Sequence, residues 1–334
     1  MVGFAGTAGR ITAIHATGRM GEKITIEGER FILAAGTIEI SRLLLHAADT
    51  PGWDCPWRGN RNIGLFFQDH PVGRVASVEV LDRRHFFDTF STIAWAGQKF
   101  QPKIRLTNDT LQRTPLMNIH AMMMFESSIS ENLVFLKQFV KAAVFNRKLS
   151  GARGLLKNLH ACRRQLLPLA WRYLVEHRVF VPSNSKISLG IQSEQFPIAE
   201  SKITVDPAVK DESGLPRVLL DWRLAGSELD SIRDFVARCD RALQAAGLAR
   251  LKLVAELAGG GPAFLATLKD NYHQVGGARM GESAEDGVVD RNLRVFGTDN
   301  LHIIGAATFR TSSNANTAFT GLAFTTRLVE HLSR

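Results

Sequence analysis

Apolar and polar residues alternate over 10–16 and 23–26, with Gly18-Arg19-Met20-Gly21 between them. That period of two predicts two short strands joined by a turn. The pattern then changes. Phe31-Ile32-Leu33-Ala34-Ala35-Gly36 is a short apolar run ending in glycine, and 38–47 continues with helical spacing and Glu39 in its first turn. This is how a buried parallel strand enters a helix, and such a strand needs neighbours on both sides. Only about thirty residues precede it, so its neighbours are expected from a segment upstream. Residues 51–75 are rich in Pro and Gly and predict loop. Alternation over 77–81, 103–106, 186–191, 201–205 and 218–222 predicts strands of an antiparallel sheet, with turns at Asp206-Pro207 and Ser213-Gly214-Leu215-Pro216. Between them, 131–181 interleaves Leu, Phe and Val with cations in amphipathic-helix fashion. Residues 227–246 predict a further amphipathic helix, with Ser227 as N-cap, a stripe of Leu229, Ile232, Val236 and Leu243, and Gly247 as its stop.

Composition adds limits. With 334 residues and 45 % apolar content, the chain can bury a sizeable core. Residues 137–178 hold ten Lys or Arg against Glu176 alone, a balance of nine, which equals the whole formal charge of +9. The rest is formally neutral, so the basic character describes one segment and no nucleic-acid partner is expected. That segment reads either as a helical lid over a pocket or as a surface lying on anionic membrane. Cys55, Cys162 and Cys239 are odd in number and form no C-x-x-C, so neither a disulfide framework nor a metal site is expected. Without a run of eighteen apolar residues or a secretory signal pattern, a cytoplasmic protein, at most peripheral to a membrane, is expected.

Candidate chemistry lies near the C-terminus. His273 stands before the Gly-rich turn Gly276-Gly277-Ala278-Arg279-Met280-Gly281, where absent side chains leave room for a flat ring or substrate to approach the backbone. Imidazole suits proton removal near neutrality. Asn316 can donate and accept while staying neutral, which suits holding a substrate oxygen, and Asn314 competes with it for that role.

After His273, the order of Arg-Met-Gly, Gly287-Val288-Val289-Asp290, a strand through Leu301-His302-Ile303-Ile304 into Gly305-Ala306-Ala307, and Asn316 before a final helix resembles the C-terminal signature of the glucose-methanol-choline (GMC) oxidoreductase family. Leu33 to Glu39 and Arg42-Leu43-Leu44-Leu45 look like the family's strand-to-helix flavin segment. Asn62-Ile63-Gly64 with Asp69-His70-Pro71 looks like its loop beside the flavin, although an Asp-His-Pro run is also an ordinary turn. The resemblance fades between about 80 and 185. Two positions depart from the family: Thr317 stands where Pro is usual, and Gly305-Ala306-Ala307 where Asp-Ala-Ser is usual.

The resemblance implies an α/β fold of mixed character: part of a doubly wound FAD-binding domain, formed by both chain ends, and an antiparallel-sheet substrate domain with covering helices. It places 1–75 in the FAD domain, 76–265 in the substrate domain with 131–181 as a basic insert, and 266–334 as the segment completing the FAD domain and active site. It implies oxidation of an alcohol, a sugar or polyol among the candidates, with His273 as base and Asn316 as its partner. Ala35, Gly36, Asn62, Gly64, His70, Gly305, Ala306 and Thr317 are expected along the FAD. Substrate identity and electron acceptor are not legible. No G-x-G-x-x-G opens a helix in these residues; Gly3, Gly6 and Gly9 have another spacing. Two readings follow: an FAD enzyme whose pyrophosphate-binding half is encoded upstream or separately, or a non-catalytic fragment or binding module.

Overall fold

The computed structural model describes the chain outside residues 1–2, 8, 19, 128–131, 133–157, 159, 161–162, 164, 183 and 261–262. In chain order the first strands are β1 (Gly3–Thr7), β2 (Arg10–Thr17), β3 (Lys23–Glu27) and β4 (Phe31–Leu33), followed by helix α1 (Thr37–Ala48). Then come β5 (Val72–Val80), α2 (Arg83–Phe90), β6 (Ile93–Trp95), β7 (Gln98–Phe100), β8 (Ile104–Arg105), α3 (Asn108–Arg113) and β9 (Ile119–Glu126). Helix α4 (Leu166–Leu174), strands β10 (Lys186–Ser193), β11 (Lys202–Lys210) and β12 (Pro216–Asp221), and helix α5 (Glu228–Ala245) lead to β13 (Ala249–Leu253). The chain ends with α6 (Ala255–Ala258), β14 (Leu301–Ile303) and α7 (Ala318–Leu332).

The central sheet has five antiparallel strands in the order β13-β5-β10-β9-β8. Its pleat sorts side chains by parity. Ile119, Ala121 and Met123 of β9 and Leu189 and Ile191 of β10 pack on one face with Phe86 and Phe90 of α2 and Ile232, Phe235 and Val236 of α5. The other face therefore carries His120, Met122 and Met124 of β9 opposite Gln192, Gly190 and Ser188 of β10. Two of these five strands are unpredicted. β9 contains a run of three methionines without polar alternation, and β13 is a short strand behind a helix stop; in both, tertiary burial overrides weak local signal.

The expected strands 201–205 and 218–222 form, but as β11 and β12 they make a separate two-stranded ribbon and do not join the sheet. Asp206-Pro207 does not turn the chain, because β11 runs on to Lys210 through a register shift that absorbs the proline. Ser227 occupies the N-cap of α5 without a capping side-chain bond. Buried Glu228 instead ties down the chain before the helix, accepting from the N–H groups of Phe196, Ala225 and Gly226. The basic stretch 131–181 falls mostly outside the described residues; within it, α4 buries no side chain.

A second core lies under the chain ends. Phe4, Ile11, Phe31, Leu33, Ile40, Leu44 and Trp57 pack with Val288, Val289, Leu301 and Ile303. β4 and β14 pair in parallel, Phe31 opposite Leu301, although 270 residues separate them in sequence. Buried Asn300 ties this pair to β2, its Oδ1 accepting from Ile11 N and its Nδ2 donating to the carbonyls of Ile11 and Glu29. Among the described residues no helix is long and apolar enough to cross a membrane.

Phe235 is fully buried between α5 and the sheet. Phe235→Ala is expected to lower unfolding free energy by about 3–5 kcal/mol, read from urea denaturation monitored by circular dichroism.

Candidate active site

Residues 64–70 and 268–278 approach one another as two irregular extended segments. Gln68 and Val275 exchange backbone hydrogen bonds of 3.0 and 2.9 Å, and Gly64 N donates to Gly277 O at 2.7 Å. The glycines of the turn make this approach fit. A Cβ on Gly276 would meet the Phe66 carbonyl oxygen at 2.1 Å, and one on Gly277 would meet Ser41 Oγ at 2.3 Å. The sequence reading reserved that space for a flat ring; the protein's own backbone and Ser41 fill it.

Asp69 is buried, and its Oδ1 accepts three backbone N–H groups: His70 at 2.6 Å, Asn271 at 3.2 Å and His273 at 3.0 Å. Between the last two, exposed Tyr272 takes the left-handed conformation with φ 57°, a strained turn for a side chain of that bulk. The result aims the His273 ring at His70. Their Nδ1 atoms lie 2.9 Å apart with the rings edge to face. On its other edge, His273 Nε2 lies 3.0 Å from Asn316 Nδ2, on the exposed side of the network. Asn316 Oδ1 accepts from Ala318 N at the start of α7, which fixes the amide's orientation.

Behind His70 the network continues inward. His70 Nε2 faces the Ser312 carbonyl at 3.0 Å, and Gln192 Nε2 lies 3.1 Å from His70 Nδ1 and 2.9 Å from the Asn314 carbonyl. Gln192 Oε1 accepts from Asn271 Nδ2 at 2.8 Å. Burial lowers the His70 pKa, the Ser312 carbonyl opposing it. His120, opposite Gln192 in the sheet, is pushed down to about 4, first by burial and then by the Lys103 ammonium, which donates to its Nε2 at 2.9 Å.

The structure thus joins His273 to Asn316 and gives Asn314 a buried role under Gln192. Three expected cofactor residues do not face an open site. Asn62 is buried and donates to the Ala284 carbonyl, Gly64 would place a Cβ 2.2 Å from the Ile203 carbonyl oxygen, and both ring nitrogens of fully buried His70 contact protein groups. In this structure the three residues serve packing and the network. His302 is buried in β14. Asp69, Gln192, Asn271 and Ser312 were missed. Asp69 stood inside the quoted motif and was passed over as a turn residue, while the others sit in segments without a local signature.

Ala35 and Gly36 leave β4 for α1, and Gly305 and Ala306 follow β14. Both glycines have positive φ, 83° and 98°, and a Cβ on either would meet nothing within 4 Å. Two parallel strands therefore end side by side in small residues with open space above them, the place where doubly wound sheets take ligands. This crevice has room for a flat group. Thr317 precedes α7 without a capping bond. Among the described residues no group of His, Cys, Asp or Glu could hold a metal ion.

Arg279 of the Arg-Met-Gly run holds structure. Its guanidinium lies 3.4 Å from the Phe66 ring centroid, and its Nε donates to the Asp286 carbonyl at 3.1 Å. Residues 197–325 match the family model described as GMC oxidoreductase. This segment is a GMC oxidoreductase C-terminal region. It holds the His273–Asn316 pair, the Gly276-Gly277 approach and β14.

Among curated proteins, the chain is 24 % identical over 141 residues to 2-methyl-1,2-propanediol dehydrogenase of Mycolicibacterium austroafricanum, a match covering 42 % of this chain and 24 % of that protein. Among solved structures it is similar to pyridoxine 4-oxidase from Mesorbium loti, with TM-score 0.53, 16 % identity, and coverage of 99 % of this chain and 56 % of that one. An Aspergillus oryzae RIB40 formate oxidase variant, studied for FAD modification, gives TM-score 0.52 at 14 % identity, covering 98 % of this chain and 59 % of its own. The chain therefore spans little more than half the length of these solved structures, and at such identities they speak for the fold.

Asp69→Ala leaves three backbone donors without their acceptor and is expected to cost about 2–4 kcal/mol in urea unfolding, whereas Asp69→Asn, which keeps an oxygen there, costs less than half as much. The depressed His120 pKa also makes stability pH-dependent. The unfolded chain binds this proton near the ordinary 6.5 and the folded chain only near 4, so stability is full above that window and falls as pH drops through it. His120 accounts for about 2 kcal/mol between pH 7 and pH 5, and His120→Gln should remove that share of the slope in parallel denaturation curves.

Proposed function

We propose that the protein is an FAD-dependent oxidoreductase acting on CH–OH donors, with His273 as the base that takes the hydroxyl proton. The observation that carries this reading is the His273 Nε2–Asn316 Nδ2 contact of 3.0 Å, backed by a buried network and open on its outer side. A neutral imidazole edge beside a neutral amide can accept a proton and hold the oxygen that releases it without adding net charge beforehand. In the reaction the O–H bond breaks with its proton going to Nε2, the adjacent C–H bond breaks with its electron pair leaving, and a carbonyl remains. FAD, when bound, supplies the acceptor for that hydride. Ala35, Gly36, Gly305 and Ala306 would hold its flat ring, and Thr317 stands at the rim beside Asn316. The names of similar proteins, a diol dehydrogenase and two oxidases, support alcohol or related carbon–oxygen chemistry.

The pyrophosphate needs a βαβ unit, supplied upstream or by a separate chain. Among the described residues β4 pairs with β14 alone and exposes Ile32, while Phe319 and Leu322 stand exposed on α7. Such surfaces suit an added parallel strand and its helix. A second reading, a binding module that does not hold FAD alone, is favoured by the lack of G-x-G-x-x-G in these 334 residues.

Flavin absorption retained after mixing this chain with FAD rejects the module reading, and its absence rejects activity of the chain by itself. In flavin-loaded protein, His273→Ala should slow anaerobic flavin bleaching by primary alcohols and polyols by about 10²–10⁴-fold. Unchanged bleaching would reject His273 as base.

A further inference from the structure

We propose that His70 is a positioning residue that decides which nitrogen of His273 carries the proton, leaving Nε2 bare toward Asn316. This inference rests on the reading of His273 as a base.

The assignment follows from both ends of the network. A carbonyl can only accept, so the 3.0 Å contact to Ser312 O places a proton on His70 Nε2. In the neutral ring this leaves His70 Nδ1 with a lone pair, and burial disfavours a second proton there. That lone pair accepts from Gln192 Nε2 at 3.1 Å and faces His273 Nδ1 at 2.9 Å, so His273 Nδ1 is the protonated nitrogen. At the far end, Asn316 Oδ1 is held by Ala318 N, which turns Nδ2 toward His273 Nε2 as a donor. Nε2 must then carry a lone pair.

The opposite tautomer would set two lone pairs against each other at 2.9 Å and two N–H groups against each other at 3.0 Å. The assigned one brings one donor–donor mismatch, His273 Nδ1 at 3.2 Å from Asn271 Nδ2, whose amide already donates to Gln192 Oε1 at 2.8 Å. It also sets two donors, Gln192 Nε2 and His273 Nδ1, on the one His70 lone pair. Two close mismatches outweigh one longer one. When His273 gains a proton at Nε2, its Nδ1–H remains bonded to the His70 lone pair, and the bond becomes charge-assisted.

The test is ¹⁵N NMR of the chain with ring-labelled histidine, the His273 signals being assigned by their loss in His273→Gln. The wild type should show His273 protonated at Nδ1. His70→Leu removes the acceptor and should move His273 toward the Nε2–H form. His70→Asn, whose Oδ1 sits near the lost Nδ1, should restore the wild-type pattern. An Nε2–H tautomer in the wild-type protein overturns the proposal without any variant, and so does a folded His70→Leu with unchanged signals. In flavin-loaded protein, His70→Leu should lower kcat by about 10–100-fold with little change in KM, and His70→Asn should recover most of it. If the wild type turns over no alcohol, the functional reading fails while the tautomer result still stands or falls by itself.

Discussion

A carboxylate removed from water must find donors, and the arrangement of this molecule turns on how Asp69 finds its own. Three backbone N–H groups supply them, two of them more than two hundred residues away along the chain. That single oxygen stitches the loop before β5 to the segment before the Gly-Gly turn. Without it, nothing local would hold Tyr272 in a left-handed turn or set one histidine ring against another. The glycines complete the join by letting the two backbones touch. Site geometry here is a property of the junction between two hydrophobic cores, and no single secondary-structure element owns it.

Much of this was legible from residue order. The β4 to α1 transition announced itself by an apolar run ending in glycine, and the structure sets that glycine at the helix start with positive φ. His273 and Asn316 were legible as a pair because many small features stood in one order around them. What was illegible had no local signature. Gln192 is one polar residue among many in a strand, and only register places it across from His120. His70 was readable as a loop residue of the motif, but a motif does not report which way a ring faces, and here the ring turns inward onto Ser312 and Gln192. The β11–β12 ribbon shows the same limit, since alternation predicts strands but cannot say which strands share a sheet.

The two halves of the site follow different physics. On the side proposed for the cofactor, small residues and positive-φ glycines leave space, so recognition there would depend on what is missing. On the proton side the side-chain nitrogens of His70, His273, Gln192, Asn271 and Asn316 all have partners, and the buried His70 and His120 rings are kept neutral by desolvation. The proposed redox role needs both: room for a large planar group and a rigid, uncharged scaffold for one proton.

The bare margin of β4 has a bearing on how the molecule meets its surroundings. At three residues it is too short to select a partner strand by ladder bonds alone, since about two are available along it. Under the proposed complementation, discrimination then falls to exposed apolar side chains elsewhere, Phe319 and Leu322 on α7 among them. Brevity thus guards this seam against indiscriminate templating while leaving it open to one well-shaped companion.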